Sequence, residues 1–128
     1  MSGRVLIVDD EENHRKSLAI GLRLEGFEVL EAANGEEGLE VLEREEALVD
    51  VVIVDLMMPG INGLDLARRL RFRAPQVKVL LTSAYHLSPR QLQRADVGAV
   101  GFVPKPYELR ELVDFLRSKV GSSAAAVH

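Results

Sequence analysis

The chain has no cysteine among its 128 residues. That excludes a disulfide framework and thiolate metal sites, and it fits a reducing compartment. A positive charge balance is also missing: the formal charge is −4. No basic footprint for direct nucleic-acid binding exists beyond the local cluster Arg68, Arg69, Arg71 and Arg73, which is expected to be a solvated helix face. Long hydrophobic runs are absent too. The stretch from Leu48 to Leu56 is interrupted by Asp50 and Asp55, so it is too short and too charged to cross a bilayer, and no signal-like segment opens the chain. No internal repeat is present. Together these absences predict a soluble, cytoplasmic protein without membrane contact.

What is present is enough apolar residue, 47%, for one buried core in a chain of the usual size for one domain. Short β-branched runs alternate with longer segments of helical period, the signature of βα units around a parallel sheet covered on both faces. The pattern predicts strands near 4–9, 28–32, 50–54, 77–82 and 100–103, and helices near 12–25, 35–45, 63–73, 88–95 and 107–120. Leu109, Leu112, Val113, Leu116 and Val120 form one apolar stripe along the last helix. Gly121 is expected to end it, leaving 121–128 as a linker or disordered tail after a domain spanning 1–120. Ser88-Pro89 reads as the start of a short, polar fourth helix. Pro59-Gly60 and Asn62-Gly63 mark a turn-rich loop after the third strand.

Chemistry concentrates at the expected strand ends. Asp9 and Asp10 close the first strand and Asp55 the third. In an open parallel sheet the crevice outside the carboxyl ends of the strands receives ligands, so these carboxylates converge on one pocket. At about 4 Å and an effective dielectric near 20, each like-charged pair costs on the order of 4 kcal/mol, which favours recruitment of a cation. A hard, oxygen-liganded ion such as Mg²⁺ suits such a site. Thr82-Ser83 closes the fourth strand and Lys105-Pro106 the fifth. A carboxylate can attack phosphorus, while an ammonium and a hydroxyl stabilise the phosphoryl oxygens, so the set has the parts of a phosphoryl-transfer site.

These residues resemble, in order and spacing, the receiver domain of two-component response regulators. The resemblance covers roughly residues 4 to 120. It is carried by Val8-Asp9-Asp10, by Asp55 with Pro59-Gly60 and Asn62-Gly63 beyond, by Ser83-Ala84, and by Gly98-Ala99 through Phe102 to Lys105-Pro106, 50 positions after Asp55. It implies a three-layer α/β sandwich, with a five-stranded parallel sheet in flavodoxin-like order 2-1-3-4-5. Asp55 becomes the phosphoacceptor. Asp10, Asp55 and the Met57 backbone carbonyl become ligands of Mg²⁺ or Mn²⁺, with Asp9 acting through water. Lys105 pairs with Asp55 and later with the phosphoryl group, and the Lys105-Pro106 bond is expected to be cis. For the switch hydroxyl the family pattern selects Ser83 over Thr82, because a small residue, Ala84, follows it and strand alternation turns Thr82 to the other face.

Phe102 takes the place of the family's aromatic switch residue, and its inward rotamer is expected to be populated before phosphorylation. Met57 and Tyr85 are expected to flank the path of water to the acyl phosphate and to slow its hydrolysis. The implied partners are a histidine kinase or phosphotransfer protein and an output domain or downstream protein. Phosphorylation is expected to switch the surface of the fourth helix, fifth strand and last helix, with a phosphorylation-dependent homodimer as one use of that surface.

Other readings carry less. An aspartyl phosphatase usually has a second Asp two positions after the first, where Met57 stands here. A phosphorylation-independent receiver-like binding module does not need Asp9, Asp10, Asp55 and Lys105 all present. A flavin protein needs a turn rich in Gly, Ser and Thr after the first strand, and this turn is acidic. His14, His86 and His128 show no ligand spacing and are expected in solvent. Glu11 and Glu12 suit the first turn of a helix regardless of function.

Overall fold

The computed structural model describes residues 3–45, 49–56, 63–73, 76–83, 90 and 101–126. Five strands form one parallel sheet: β1 (Arg4–Val8), β2 (Glu28–Ala32), β3 (Val51–Asp55), β4 (Lys78–Ser83) and β5 (Gly101–Pro104), in the order β2-β1-β3-β4-β5. Helices α1 (Glu12–Leu24), α2 (Gly35–Glu45) and α3 (Gly63–Arg73) follow the first three strands, and a last helix spans Leu109–Ala126. The parallel sheet covered on both faces is what the alternating pattern predicts, and its flavodoxin-like order is the one the family resemblance implies. The fourth helix expected at 88–95 lies outside the described residues, apart from Arg90, which is helical.

The central strands are apolar on both sides because helices cover both faces. Alternation along each strand deals its residues to two cores. Leu6, Val8, Val52, Val54, Val79 and Leu81 pack with α2 and α3. Val5, Ile7, Val51, Ile53 and Leu80 pack with α1 and the last helix. In the last helix, Leu112, Val113 and Leu116 are fully buried, as the stripe predicts, while Leu109 stays partly exposed.

Among the described residues one boundary differs from expectation by more than two residues. The last helix does not stop at Gly121 but continues to Ala126. A glycine weakens a helix by about 1 kcal/mol without ending it, and the alanines that follow are the strongest helix formers. After α1, by contrast, the chain does turn at a glycine: Gly26 has φ 97, and Phe27 then re-enters the second core.

Candidate functional site

The register brings the strand ends together. Val8 pairs with Val54 and Asp55 with Thr82, so Asp9 and Asp55 leave adjacent strands side by side. Asp9 follows Val5 and Ile7, and Asp55 follows Val51 and Ile53, so alternation puts both on the face of α1 and the last helix. Both are nearly enclosed, with exposures of 3% and 7%, whereas Asp10 is exposed. Ligand oxygens of Asp9, Asp10 and Asp55 all lie within 4.8 Å of one another. Three carboxylates, one of them open to solvent, make a donor set of hard oxygens suited to a small divalent cation.

Lys105 supplies the positive charge within this cluster. Its Nζ donates to Asp55 Oδ2 at 3.1 Å and to Asp9 Oδ2 at 3.4 Å. Burial, the largest influence on this ammonium, acts to lower its pKa. The hydrogen bond to Asp55, the charges of Asp9 and Asp55 and the hydrogen bond to Asp9 together outweigh it, and the pKa is raised. Lys105 N donates to the Ser83 carbonyl at 2.8 Å, which ties the residue to the end of β4. The Lys105-Pro106 bond is cis, as expected.

Asp9 is held from several directions. Its Oδ1 accepts from Glu11 N at 2.9 Å, which fixes the entry to α1, where the Glu11 side chain makes no cap. Arg15, itself buried, donates from Nη1 to the Asp9 carbonyl at 2.8 Å and from Nε to Glu31 at 3.2 Å. At the far side of the pocket Gly63 starts α3 against the end of β3. A Cβ there would come within 2.5 Å of Leu56 Cα and 2.6 Å of the Asp55 carbonyl oxygen, so only glycine allows this approach.

The two hydroxyls of β4 are both buried, Thr82 at 2% and Ser83 at 1% exposure. Thr82 is the register partner of Asp55, and it follows Leu80 on the face of α1. Ser83 follows Val79 and Leu81 onto the opposite face. Phe102 pairs with Leu81, is half-buried and packs against that same core. Ser83 and Phe102 therefore share a side of the sheet, and Thr82 is on the other, while Thr82 stands closer in register to Asp55.

The sequence matches the family described as response regulator receiver domain over residues 5–117. The chain belongs to that family. It is 39% identical to the sensory transduction protein RegX3 of Mycobacterium tuberculosis, over 89% of this chain and 49% of the relative. It is 34% identical to a cyclic di-GMP phosphodiesterase of Thermotoga maritima, over 91% of this chain and 29% of that protein. Among solved structures, a response regulator from Thermotoga maritima superposes with a TM-score of 0.81 at 30% identity, covering 94% of this chain and 99% of that one. This chain is thus a receiver domain of the two-component response regulators, and it spans about half the length, or less, of the curated relatives it matches. Receiver domains of this family are not enzymes acting on external substrates.

Within the receiver site the sequence does not mark His14, Tyr107 or Arg15. His14 is not a solvent histidine: its Nδ1 lies 2.7 Å from Asp9 Oδ2 and its Nε2 3.2 Å from Tyr107 Oη. The signal available was position alone. A helix starting at 12 brings residue 14 back over the end of β1, and Tyr107 stands two residues after Lys105. The Met57 carbonyl, Tyr85, His86, His128 and the Gly98-Ala99 part of the motif lie outside the described residues. No helix among the described residues is long and apolar enough to cross a membrane.

Proposed function

We propose that Asp55 is the phosphoacceptor of this receiver domain and takes the phosphoryl group from a phosphohistidine of a histidine kinase or phosphotransfer protein. The observation that carries this is the pairing of a nearly buried Asp55 with Lys105 at 3.1 Å, inside a cluster of three carboxylates. An Asp55 oxygen attacks phosphorus, the O–P bond forms as the P–N bond of the donor breaks, and the imidazole leaves with the bond's electron pair. Lys105 then transfers its charge-assisted hydrogen bond from the carboxylate to a phosphoryl oxygen.

Asp10, Asp55 and the Met57 carbonyl, with Asp9 through water, would hold Mg²⁺ or Mn²⁺. Bound there, the ion would neutralise charge on the phosphoryl oxygens. The donor has room to approach: a cavity of about 390 Å³ lined by His14, Lys105, Pro106 and Tyr107 opens beside the lysine.

The response is a shift of population. Ser83 turns its hydroxyl toward the phosphoryl group, and Phe102, already packed on the same side of the sheet, moves further into the space it leaves. The altered surface includes β5 and the last helix. It controls an output domain or a downstream protein of a cytosolic pathway, or a phosphorylation-dependent homodimer. The differing names of the relatives, and the differing shares of them that this chain spans, fit a receiver fold that serves more than one kind of output.

The test is the intact mass of the protein after incubation with acetyl phosphate and Mg²⁺. One phosphoryl adduct, absent from Asp55→Asn and from a chelator control, is expected. An adduct that survives Asp55→Asn would place the acceptor elsewhere, and no adduct at all would favour a phosphorylation-independent binding module.

A further inference from the structure

Asp9 Oδ2 receives two side chains that come from opposite ends of the sequence. Besides Lys105, His14 Nδ1 lies 2.7 Å away, the shortest of the contacts to this carboxylate. His14 in turn meets Tyr107, Oη to Nε2 at 3.2 Å, with the rings edge to face at 78° and 5.7 Å between centroids. Burial, and after it the charges of Asp9 and Asp55, push the Tyr107 phenol pKa upward, so Oη keeps its proton and is a donor. The tautomer with its proton on Nδ1 satisfies both neighbours: Tyr107 Oη–H donates to Nε2, and Nδ1–H donates to Asp9. Tyr107 packs against the second core, so this chain of hydrogen bonds is anchored to the body of the fold rather than to the surface.

We propose that His14, braced by Tyr107, is a positioning residue for Asp9, fixing the carboxylate so that its remaining lone pair, on Oδ1, faces the cation site shared with Asp10 and Asp55. The proposal rests on the reading of that cluster as a divalent-cation site. Two donors already occupy one Asp9 oxygen and a backbone N–H occupies the other. A carboxylate pinned at both oxygens loses little freedom when the ion arrives, whereas one released from His14 must be ordered by the ion itself. His14 contacts neither the ion nor the phosphoryl group in this account. Its effect is read through Asp9.

The experiment is Mg²⁺ binding to the unphosphorylated protein by isothermal titration calorimetry, with the ¹³C resonance of the Asp9 carboxylate followed by NMR. The variants are His14→Leu, His14→Asn, Tyr107→Phe and Asp10→Asn, each first shown to melt cooperatively. For His14→Leu the dissociation constant for Mg²⁺ is expected to rise about 10-fold, in the lower part of the range for outer-shell partners of a metal. The Asp9 resonance is expected to move before any metal is added. Tyr107→Phe, which keeps the ring and removes one hydrogen bond, is expected to cost about 3-fold. His14→Asn, whose amide can still donate from near the Nδ1 position, is expected to restore much of the affinity. A purely structural role for His14 would lower the melting temperature and leave the dissociation constant of the folded protein unchanged. That result, or tighter binding in His14→Leu, would overturn the proposal while Asp10→Asn still loses Mg²⁺. If the unaltered protein takes up no Mg²⁺, the cation-site reading and the positioning role fall together.

Discussion

On the face of the sheet covered by α1 and the last helix, β1 and β3 run out into Asp9 and Asp55, and Lys105, His14 and Tyr107 close over them. On the face covered by α2 and α3, the same edge ends in Ser83 and the half-buried Phe102. Among the described residues, one side is dense with charge and hydrogen bonds, and the other is an apolar core with Phe102 at its margin. The charged side is suited to fix geometry, because moving any member strands a buried charge. The apolar side is suited to move, because a ring at a core margin exchanges one packing for another at small cost. Signal reception needs both properties, and β4 ends at the boundary between them, with Thr82 on the face of Asp55 and Ser83 on the face of Phe102.

The largest expected effect comes from breaking the charged side. Lys105→Met leaves Asp9 and Asp55 without their shared cation. It is expected to destabilise the metal-free protein by about 2–3 kcal/mol in urea unfolding, less than for a fully enclosed pair because the Lys105 side chain keeps 19% exposure. Its raised pKa fixes the pH dependence. A cation with a raised folded-state pKa contributes fully below its unfolded value, near 10.4, and loses that contribution only as pH rises through the folded value. The gap between Lys105→Met and the unaltered protein should therefore be constant from pH 7 to about 10 and close above that. A gap that closed on the acid side instead would show that the carboxylates, not the ammonium, control it.

Adding a cation sharpens the same side. At about one hundred times its dissociation constant, Mg²⁺ is expected to stabilise the fold by about 2.7 kcal/mol, seen as a rise in melting temperature, and Asp10→Asn should remove most of that rise. Gly63→Ala disturbs the start of α3, since its Cβ meets backbone at the end of β3. A cost of about 1–3 kcal/mol is expected, with slower phosphorylation of Asp55, measured by denaturation and by the rate of mass increase. Smallest is a substitution away from both strand ends. Phe72 on α3 is 81% exposed, and Phe72→Ala should change stability by no more than about 0.5 kcal/mol and leave phosphorylation unaltered.

Much of this architecture is legible in the residues themselves. The β-branched runs mark five strands, and the acidic, hydroxyl and lysine residues that end them mark one edge of the sheet, because a parallel sheet gathers its strand ends on one side. What periodicity does not carry is contact between distant segments. His14 and Tyr107 are 93 positions apart, and neither stands in a pattern that distinguishes it from an ordinary helix or loop residue. Alternation separates Thr82 from Ser83 but does not say which face holds Asp55. That follows only from the pairing of Asp55 with Thr82 and of Leu81 with Phe102. Gly121 misleads for a different reason, since a glycine ends a helix only where the chain turns away after it.

The assignment of the switch to Ser83 rather than Thr82, on opposite faces of the sheet, turns most on this geometry. It is tested by NMR of the assigned Phe102 ring before and after phosphorylation with acetyl phosphate and Mg²⁺, in the unaltered protein, Ser83→Ala and Thr82→Ala, with the adduct confirmed by mass in each. The Phe102 resonances are expected to move in the unaltered protein and in Thr82→Ala and to stay in place in phosphorylated Ser83→Ala. A ring that moves in Ser83→Ala and stays still in Thr82→Ala would contradict it and assign the switch to the hydroxyl beside Asp55.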